Sequence, residues 1–115
     1  MILLDENTTI SRLKKQVEAF RDERKWTELD SPRSLAISIA LEAAELLEHF
    51  QWDNQTLVLD EVADELADVI TYCLGFSITM KIDISNAVAK KLQQNAVKYP
   101  VHKLLGSNPS RTKFR

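Results

Sequence analysis

The sequence predicts an all-α protein, in which an antiparallel four-helix bundle assembles into a homo-oligomer. Turn-forming residues are scarce, because the 115 residues include only two glycines and three prolines. Residues that favour helices, namely Ala, Leu, Glu and Lys, are abundant. Apolar residues recur at helical spacing in four segments joined by short connections, a pattern typical of a helical bundle.

The first predicted helix covers about residues 9–26, with apolar residues at helical spacing. Thr8 or Thr9 can cap its first turn, since a threonine hydroxyl accepts a hydrogen bond from a free backbone N–H at a helix start. Its last part, residues 21–25, is a run of charged side chains. We expect this run to be a solvated helix end.

The second predicted helix has Ser31 as its N-cap and Pro32 at its first position, and it extends to about Phe50. Its apolar residues do not fit on one face: they are Leu35, Ile37, Ile39, Leu41, Leu46, Leu47 and Phe50. A helix that is apolar around most of its circumference is buried on several sides. In so short a chain this burial requires a second subunit, so we predict a homodimer or a homotetramer.

Two further helices complete the predicted bundle. The third covers about residues 55–80, and the fourth begins after Asp83 as its cap and ends before Pro100, where the apolar periodicity stops. We therefore predict one helical domain over residues 1–103 and a flexible basic C-terminal tail over residues 104–115.

Composition disfavours several classes of partner. A net charge of −2 argues against binding to a nucleic-acid polymer through a broad basic surface. The chain has no run of about 18 apolar residues, so we expect no membrane span. Cys73 is the single cysteine and lies on an apolar stripe, which we interpret as a buried thiol in a cytoplasmic protein.

Four carboxylates occupy positions where a hydrophobic core is expected. Glu42 and Glu45 lie three residues apart in the second helix, and Glu65 and Asp68 repeat this spacing in the third. An ionised carboxylate removed from water is unfavourable unless it is paired or binds a metal, and few cations lie nearby in sequence. We therefore predict a divalent-cation site between the two helices, and a site with only oxygen ligands favours Mg²⁺.

Other interpretations of the acidic residues are also possible. We interpret Glu48, Glu61 and Asp64 as ordinary surface acids. A di-iron bundle is disfavoured because neither His49 nor His102 has a glutamate three residues before it, and zinc is disfavoured because His and Cys are not clustered. The acids could instead form the interface of a non-catalytic helical interaction module, which would not bind Mg²⁺.

Four segments in the same order resemble a known family. They are F-R-D-E-R-K-W at residues 20–26, the segment at residues 31–52 that contains the second helix, D-E-L-A-D-V-I-T-Y at residues 64–72 and K-L-Q-Q-N-A-V-K-Y-P at residues 91–100. Together with E-x-x-E and E-x-x-D they resemble the MazG-like all-α nucleotide pyrophosphohydrolases, and within them the dCTP pyrophosphatase-like branch. The resemblance covers nearly the whole chain up to Pro100.

The resemblance implies a function and a set of site residues. Glu42, Glu45, Glu65 and Asp68 match the family's Mg²⁺ ligands and catalytic acids. The positions that match substrate-binding residues are Trp26, Trp52, Tyr72, Lys91, Asn95 and Tyr99. The implied reaction is Mg²⁺-dependent hydrolysis of a (d)NTP to the (d)NMP and pyrophosphate. The implied role is house-cleaning of the nucleotide pool, with a deoxynucleotide such as dCTP favoured.

Two departures from the branch lie near the implied base pocket. The branch usually has His two residues before its Pro-Arg pair, where this chain has Asp30 or its neighbour, and an Asn after that pair, where this chain has Ser34. These changes leave the preferred base and sugar open.

Overall fold

The computed structural model describes residues 2–104, and every regular element within them is helical, which confirms the predicted all-α class. A short 3-10 helix (Asp5–Asn7) is followed by α1 (Ile10–Glu23), α2 (Trp26–Leu29), α3 (Pro32–Glu48), α4 (Leu59–Met80), α5 (Ile84–Lys98) and α6 (Val101–Leu104). Residues 105–115 of the predicted tail lie outside the described range. Within that range, no helix is long and apolar enough to cross a membrane.

The predicted caps are confirmed. The Oγ of Ser31 accepts a hydrogen bond from the backbone N–H of Ser34 at 3.0 Å, and the Ser34 Oγ accepts one from the Ser31 N–H at 2.9 Å. This reciprocal capping box fixes the start of α3. Thr9 caps α1 by accepting a hydrogen bond from the Arg12 N–H, and Asp83 caps α5 by accepting one from the Asn86 N–H.

The end of the first predicted helix is wrong by three residues. Lys25 adopts the left-handed conformation with φ 57°, so α1 stops at Glu23 and the short α2 starts anew at Trp26. The expectation that residues 21–25 are solvated is also wrong at its first position. Arg21 is 6% exposed, because α1 packs against α4 at this point.

The third predicted helix starts four residues later than expected. Gln55 is not helical, and its side chain bridges the turn before α4. Its Nε2 donates to the Glu48 carbonyl at 2.8 Å, and its Oε1 accepts from the Trp52 N–H at 3.4 Å. The first residue of α4 is Leu59.

The chain divides into two compact units, one ending at Ile82 and the other beginning at Asp83. In the first unit α4 packs against both α3 and α1. Leu35 and Leu74 are the buried apolar side chains of the described residues, with 2% and 4% exposed, and Cys73 is partly buried.

Several apolar residues of α3 are exposed in the single chain. Ile37, Leu41 and Leu47 are exposed by 48%, 60% and 64%. The helix is thus apolar around its circumference, as predicted, but one chain covers only part of it.

Candidate active site

Three of the four predicted acids meet where α3 packs on α4. Glu42, Glu45 and Glu65 each place a carboxylate oxygen within 4.8 Å of the others. The three-residue spacing puts Glu42 and Glu45 on the same side of α3, and Glu65 faces them from α4. This separation suits several oxygen ligands of one cation. Glu48, Glu61 and Asp64 are exposed, as expected for surface acids.

Asp68 lies beside this cluster and outside its tightest group. Its side chain is exposed and lines a neighbouring cavity. Its negative charge nevertheless contributes to raising the pKa values of both Glu42 and Glu65, after the larger effects of burial and of Glu45. Asp68 therefore lies in the electrostatic neighbourhood of the cluster, and its role as a metal ligand stays a prediction.

Glu42 and Glu65 are carboxylates in an unfavourable environment. Partial burial raises the pKa of Glu42, and the adjoining Glu45 raises it further. The same two causes raise the pKa of Glu65. The Oε2 atoms of Glu42 and Glu65 are buried without a hydrogen-bond partner among residues 2–104. Buried polar atoms normally have partners, so these two oxygens fit ligands of a cation.

His49 lies beside the cluster and is not among the predicted site residues. Its Nε2 lies 3.9 Å from Glu65 Oε1, and its charge opposes the other causes by lowering the pKa of Glu65. Its position four residues after Glu45 was the available signal, because residues four apart share a helix face.

An apolar cavity of about 500 Å³ adjoins the acids within the first unit. It shares Asp68 with the acidic side, and its aromatic walls are Phe20, Trp26 and Tyr72. Phe20 and Trp26 pack edge to face with ring centroids 5.7 Å apart. Burial, followed by the charges of Glu42 and other nearby acids, raises the pKa of Tyr72. The size and the apolar lining are those of a small-molecule site.

The structure brings two of the predicted substrate-binding residues, Trp26 and Tyr72, to this cavity. Trp52 is 67% exposed and is not among the residues that line it. The remaining three, Lys91, Asn95 and Tyr99, belong to the second unit, on α5 and at its C-cap. Their contact with substrate stays a prediction, as does that of Trp52.

Comparison with known proteins identifies the family of a chain with these features. The sequence model of the MazG-like family matches residues 37–108, a segment that includes all four acids. The chain belongs to the MazG-like family. The predicted resemblance is therefore confirmed.

Named relatives of this MazG-like chain are pyrophosphatases. It is 30% identical to dCTP pyrophosphatase 1 of Mus musculus over 108 residues, which cover 86% of the chain and 64% of the relative. It is 28% identical to dCTP pyrophosphatase 1 of Homo sapiens over 106 residues, which cover 82% and 61%. The chain thus spans less than two thirds of the length of these relatives.

A solved structure also matches most of the MazG-like chain. The crystal structure of a pyrophosphatase from Archaeoglobus fulgidus superposes with a TM-score of 0.71 at 34% sequence identity. The match covers 86% of this chain and 99% of that one.

Proposed function

We propose that this protein is a Mg²⁺-dependent nucleoside triphosphate pyrophosphohydrolase, which converts a (d)NTP to the (d)NMP and pyrophosphate. One observation carries the proposal: Glu42, Glu45 and Glu65 converge within 4.8 Å beside a cavity with aromatic walls. A triphosphate needs its charge neutralised, and a nucleobase needs an apolar, flat-walled site. The two neighbouring features match the two ends of such a substrate.

The acids fit a divalent cation by their chemistry. Glu42 and Glu65 each have a buried oxygen that no described residue satisfies, and Mg²⁺ prefers oxygen ligands. Glu45 and Asp68 complete the predicted ligand set. When bound, Mg²⁺ supplies neutralisation of the triphosphate oxygens and helps to orient the phosphate chain.

The side chains of the protein divide the remaining tasks. Glu45 is the exposed member of the three converging acids, so a Glu45 oxygen that the metal does not use can accept a proton from the attacking water. Trp26 and Tyr72 line the space for the base. We assign Lys91 to the phosphates through its charge and Asn95 to a neutral hydrogen bond with the substrate.

We further propose house-cleaning of the nucleotide pool as the role, with a deoxynucleotide such as dCTP favoured. The names of the curated relatives support this substrate. A cytoplasmic location is supported by the single cysteine, which can form no internal disulfide.

We propose that the predicted four-helix bundle functions as a homodimer or homotetramer. The support is the exposed apolar surface of α3, where Ile37, Leu41 and Leu47 are each about half exposed or more. Sedimentation at micromolar concentration tests the assembly, and a fully helical species that is purely monomeric would contradict it.

A panel of canonical and modified (d)NTPs with Mg²⁺ tests the reaction, with nucleotide products and pyrophosphate quantified. We expect monophosphate and pyrophosphate from the wild type. Glu42→Gln should abolish turnover while the protein stays folded. Glu48→Gln is the matched control, because Glu48 is an exposed acid on the same helix and should leave turnover unchanged. Full activity in Glu42→Gln would refute the metal assignment, and no turnover by folded wild type would favour the non-catalytic interaction module.

A further inference from the structure

A buried guanidinium forms part of the wall of the aromatic cavity. Arg21 is 6% exposed, and its Nη1 donates to the Gly75 carbonyl at 3.3 Å. Gly75 favours this approach, because a Cβ there would lie 3.3 Å from Nη1, a tight contact. The Arg21 Nε is buried and has no hydrogen-bond partner among the described residues. Buried arginine is rare without full pairing, so the arrangement requires an explanation.

Asp30 neutralises this arginine without using up its own acceptors. Its Oδ2 lies 3.4 Å from Arg21 Nη2, a long contact, and its side chain is 30% exposed. An ionised carboxylate has about four lone-pair sites, of which this contact occupies one. Asp30 also lines the cavity, and its charge is among the causes that raise the pKa of Tyr72. The cavity therefore contains a donor and an acceptor side by side.

The point on α4 that Arg21 contacts is separated along this helix from the acids. Gly75, which Arg21 contacts, is seven residues after Asp68 on this helix. At 1.5 Å per residue this corresponds to about 10 Å along the helix axis. Tyr72 lies between them on the same helix and lines the cavity. A nucleotide with its phosphates at the acids would therefore direct its base towards Arg21 and Asp30.

We propose that Arg21 and Asp30 determine base specificity, by forming hydrogen bonds with the polar edge of a nucleobase held in the aromatic cavity. Arg21 donates to a ring nitrogen or carbonyl oxygen of the base. Asp30 accepts from an adjacent ring N–H or exocyclic amino group. The inference depends on the proposed function for the orientation of the nucleotide. A base that leaves the buried Arg21 or the partly exposed Asp30 without its hydrogen bond binds less tightly, which is how polar pockets discriminate between ligands.

A purely structural role is the competing explanation. Arg21 connects α1 to the carbonyl of Gly75 on α4, and this contact alone could account for its burial. A structural role predicts that changes to the pair affect all bases equally. Specificity predicts a change in the ratio between bases.

Binding of non-hydrolysable substrates separates the two explanations. We would measure, by calorimetry with Mg²⁺, the dissociation constants of the four 2′-deoxynucleoside α,β-imidotriphosphates. The variant is Asp30→Asn, which keeps the shape but replaces an acceptor oxygen with a donor. The matched control is Asp22→Asn, which makes the same charge change at an exposed position next to Arg21.

We expect wild type and Asp22→Asn to prefer the same base, and Asp30→Asn to lower that preference at least about tenfold or to change the preferred base, as loss of a base-edge contact does. An equal loss for all four bases would overturn the inference, and so would a wild type without base preference. Arg21→Lys keeps the charge but removes the planar fork of donors, and it should alter the same ratio. If Arg21→Lys fails to fold by circular dichroism, Asp30→Asn decides alone.

Hydrolysis of the corresponding natural dNTPs keeps this inference separate from the proposed function. Base-selective binding that depends on Asp30, without release of pyrophosphate, would refute the function and support the inference. Pyrophosphate release at equal kcat/KM from all four dNTPs would support the function and overturn the inference.

Discussion

Mg²⁺ should raise the melting temperature of this protein by about 11 °C. Glu42, Glu45 and Glu65 come together only when α3 packs on α4, so a cation bound by all three stabilises the native state alone. At 100 times its dissociation constant, such a ligand adds about 2.7 kcal/mol to the free energy of unfolding. A chain of 115 residues has an unfolding entropy of about 0.24 kcal/mol per kelvin near its midpoint. The ratio gives the expected shift.

Thermal melts followed by circular dichroism measure this shift, first with a chelator and then with a series of Mg²⁺ concentrations. Glu42→Gln should have opposite effects on stability in the absence and in the presence of Mg²⁺. Without metal it should melt above the wild type, because it removes a partly buried charge that neighbouring acids repel. With Mg²⁺ it should gain much less stability than the wild type, because it has lost a ligand.

Glu48→Gln is again the control, and it should show the wild-type shift because Glu48 is exposed outside the cluster. Two results would refute the reasoning. One is a wild-type melting temperature that stays constant at every Mg²⁺ concentration. The other is a Glu42→Gln protein that is stabilised by Mg²⁺ as strongly as the wild type.

Two further predictions concern stability. The metal-free protein should become more stable as pH falls from 7 towards the ordinary glutamate pKa of about 4.3. The reason is that the raised pKa values of Glu42 and Glu65 make the folded state bind protons more tightly than the unfolded state, so this stability is lost as pH rises through the raised values. Melting temperatures in chelator at several pH values test this, and a maximum at pH 7 would contradict it. Leu35→Ala should lower the free energy of unfolding by about 3 kcal/mol, or about 12 °C, because it opens a cavity at a side chain only 2% exposed. Ile2→Ala, at a side chain 78% exposed, is its control in the same melts, and equal shifts in the two variants would disprove the assignment of Leu35 to the core.

The sequence was sufficient to predict features set by local spacing. The caps Ser31 and Asp83, and Thr9 as one of two candidates, are predictable because capping depends on a side chain and a backbone N–H within three residues of it. The meeting of Glu42 with Glu65 required one more assumption, namely that neighbouring helices pack through their apolar sides. The structure supports it for these acids and Glu45, with Asp68 at the edge.

Features that depend on tertiary contacts were beyond sequence reasoning. Arg21 belongs to a charged run and has the local pattern of a solvated residue, yet it is buried because Gly75 of α4 leaves space for its guanidinium. The break after α1 depends on the left-handed conformation of Lys25, a residue type that rarely adopts it, so composition gave no signal. His49 shares a helix face with Glu45, but its contact with Glu65 depends on the packing of α4.

The acidic cluster is hard to explain as a product of selection for folding alone. Its two partly buried carboxylates have raised pKa values, and their buried oxygens find no partner among the described residues, so both features oppose the folded state. Replacing one acid with an amide would relieve the repulsion at no change in shape. Sites that lower stability in this way are usually kept because a ligand needs them. Glu42→Gln is therefore expected to raise the melting temperature without Mg²⁺ and to reduce the stabilisation that Mg²⁺ provides. These opposite effects follow directly from that conflict.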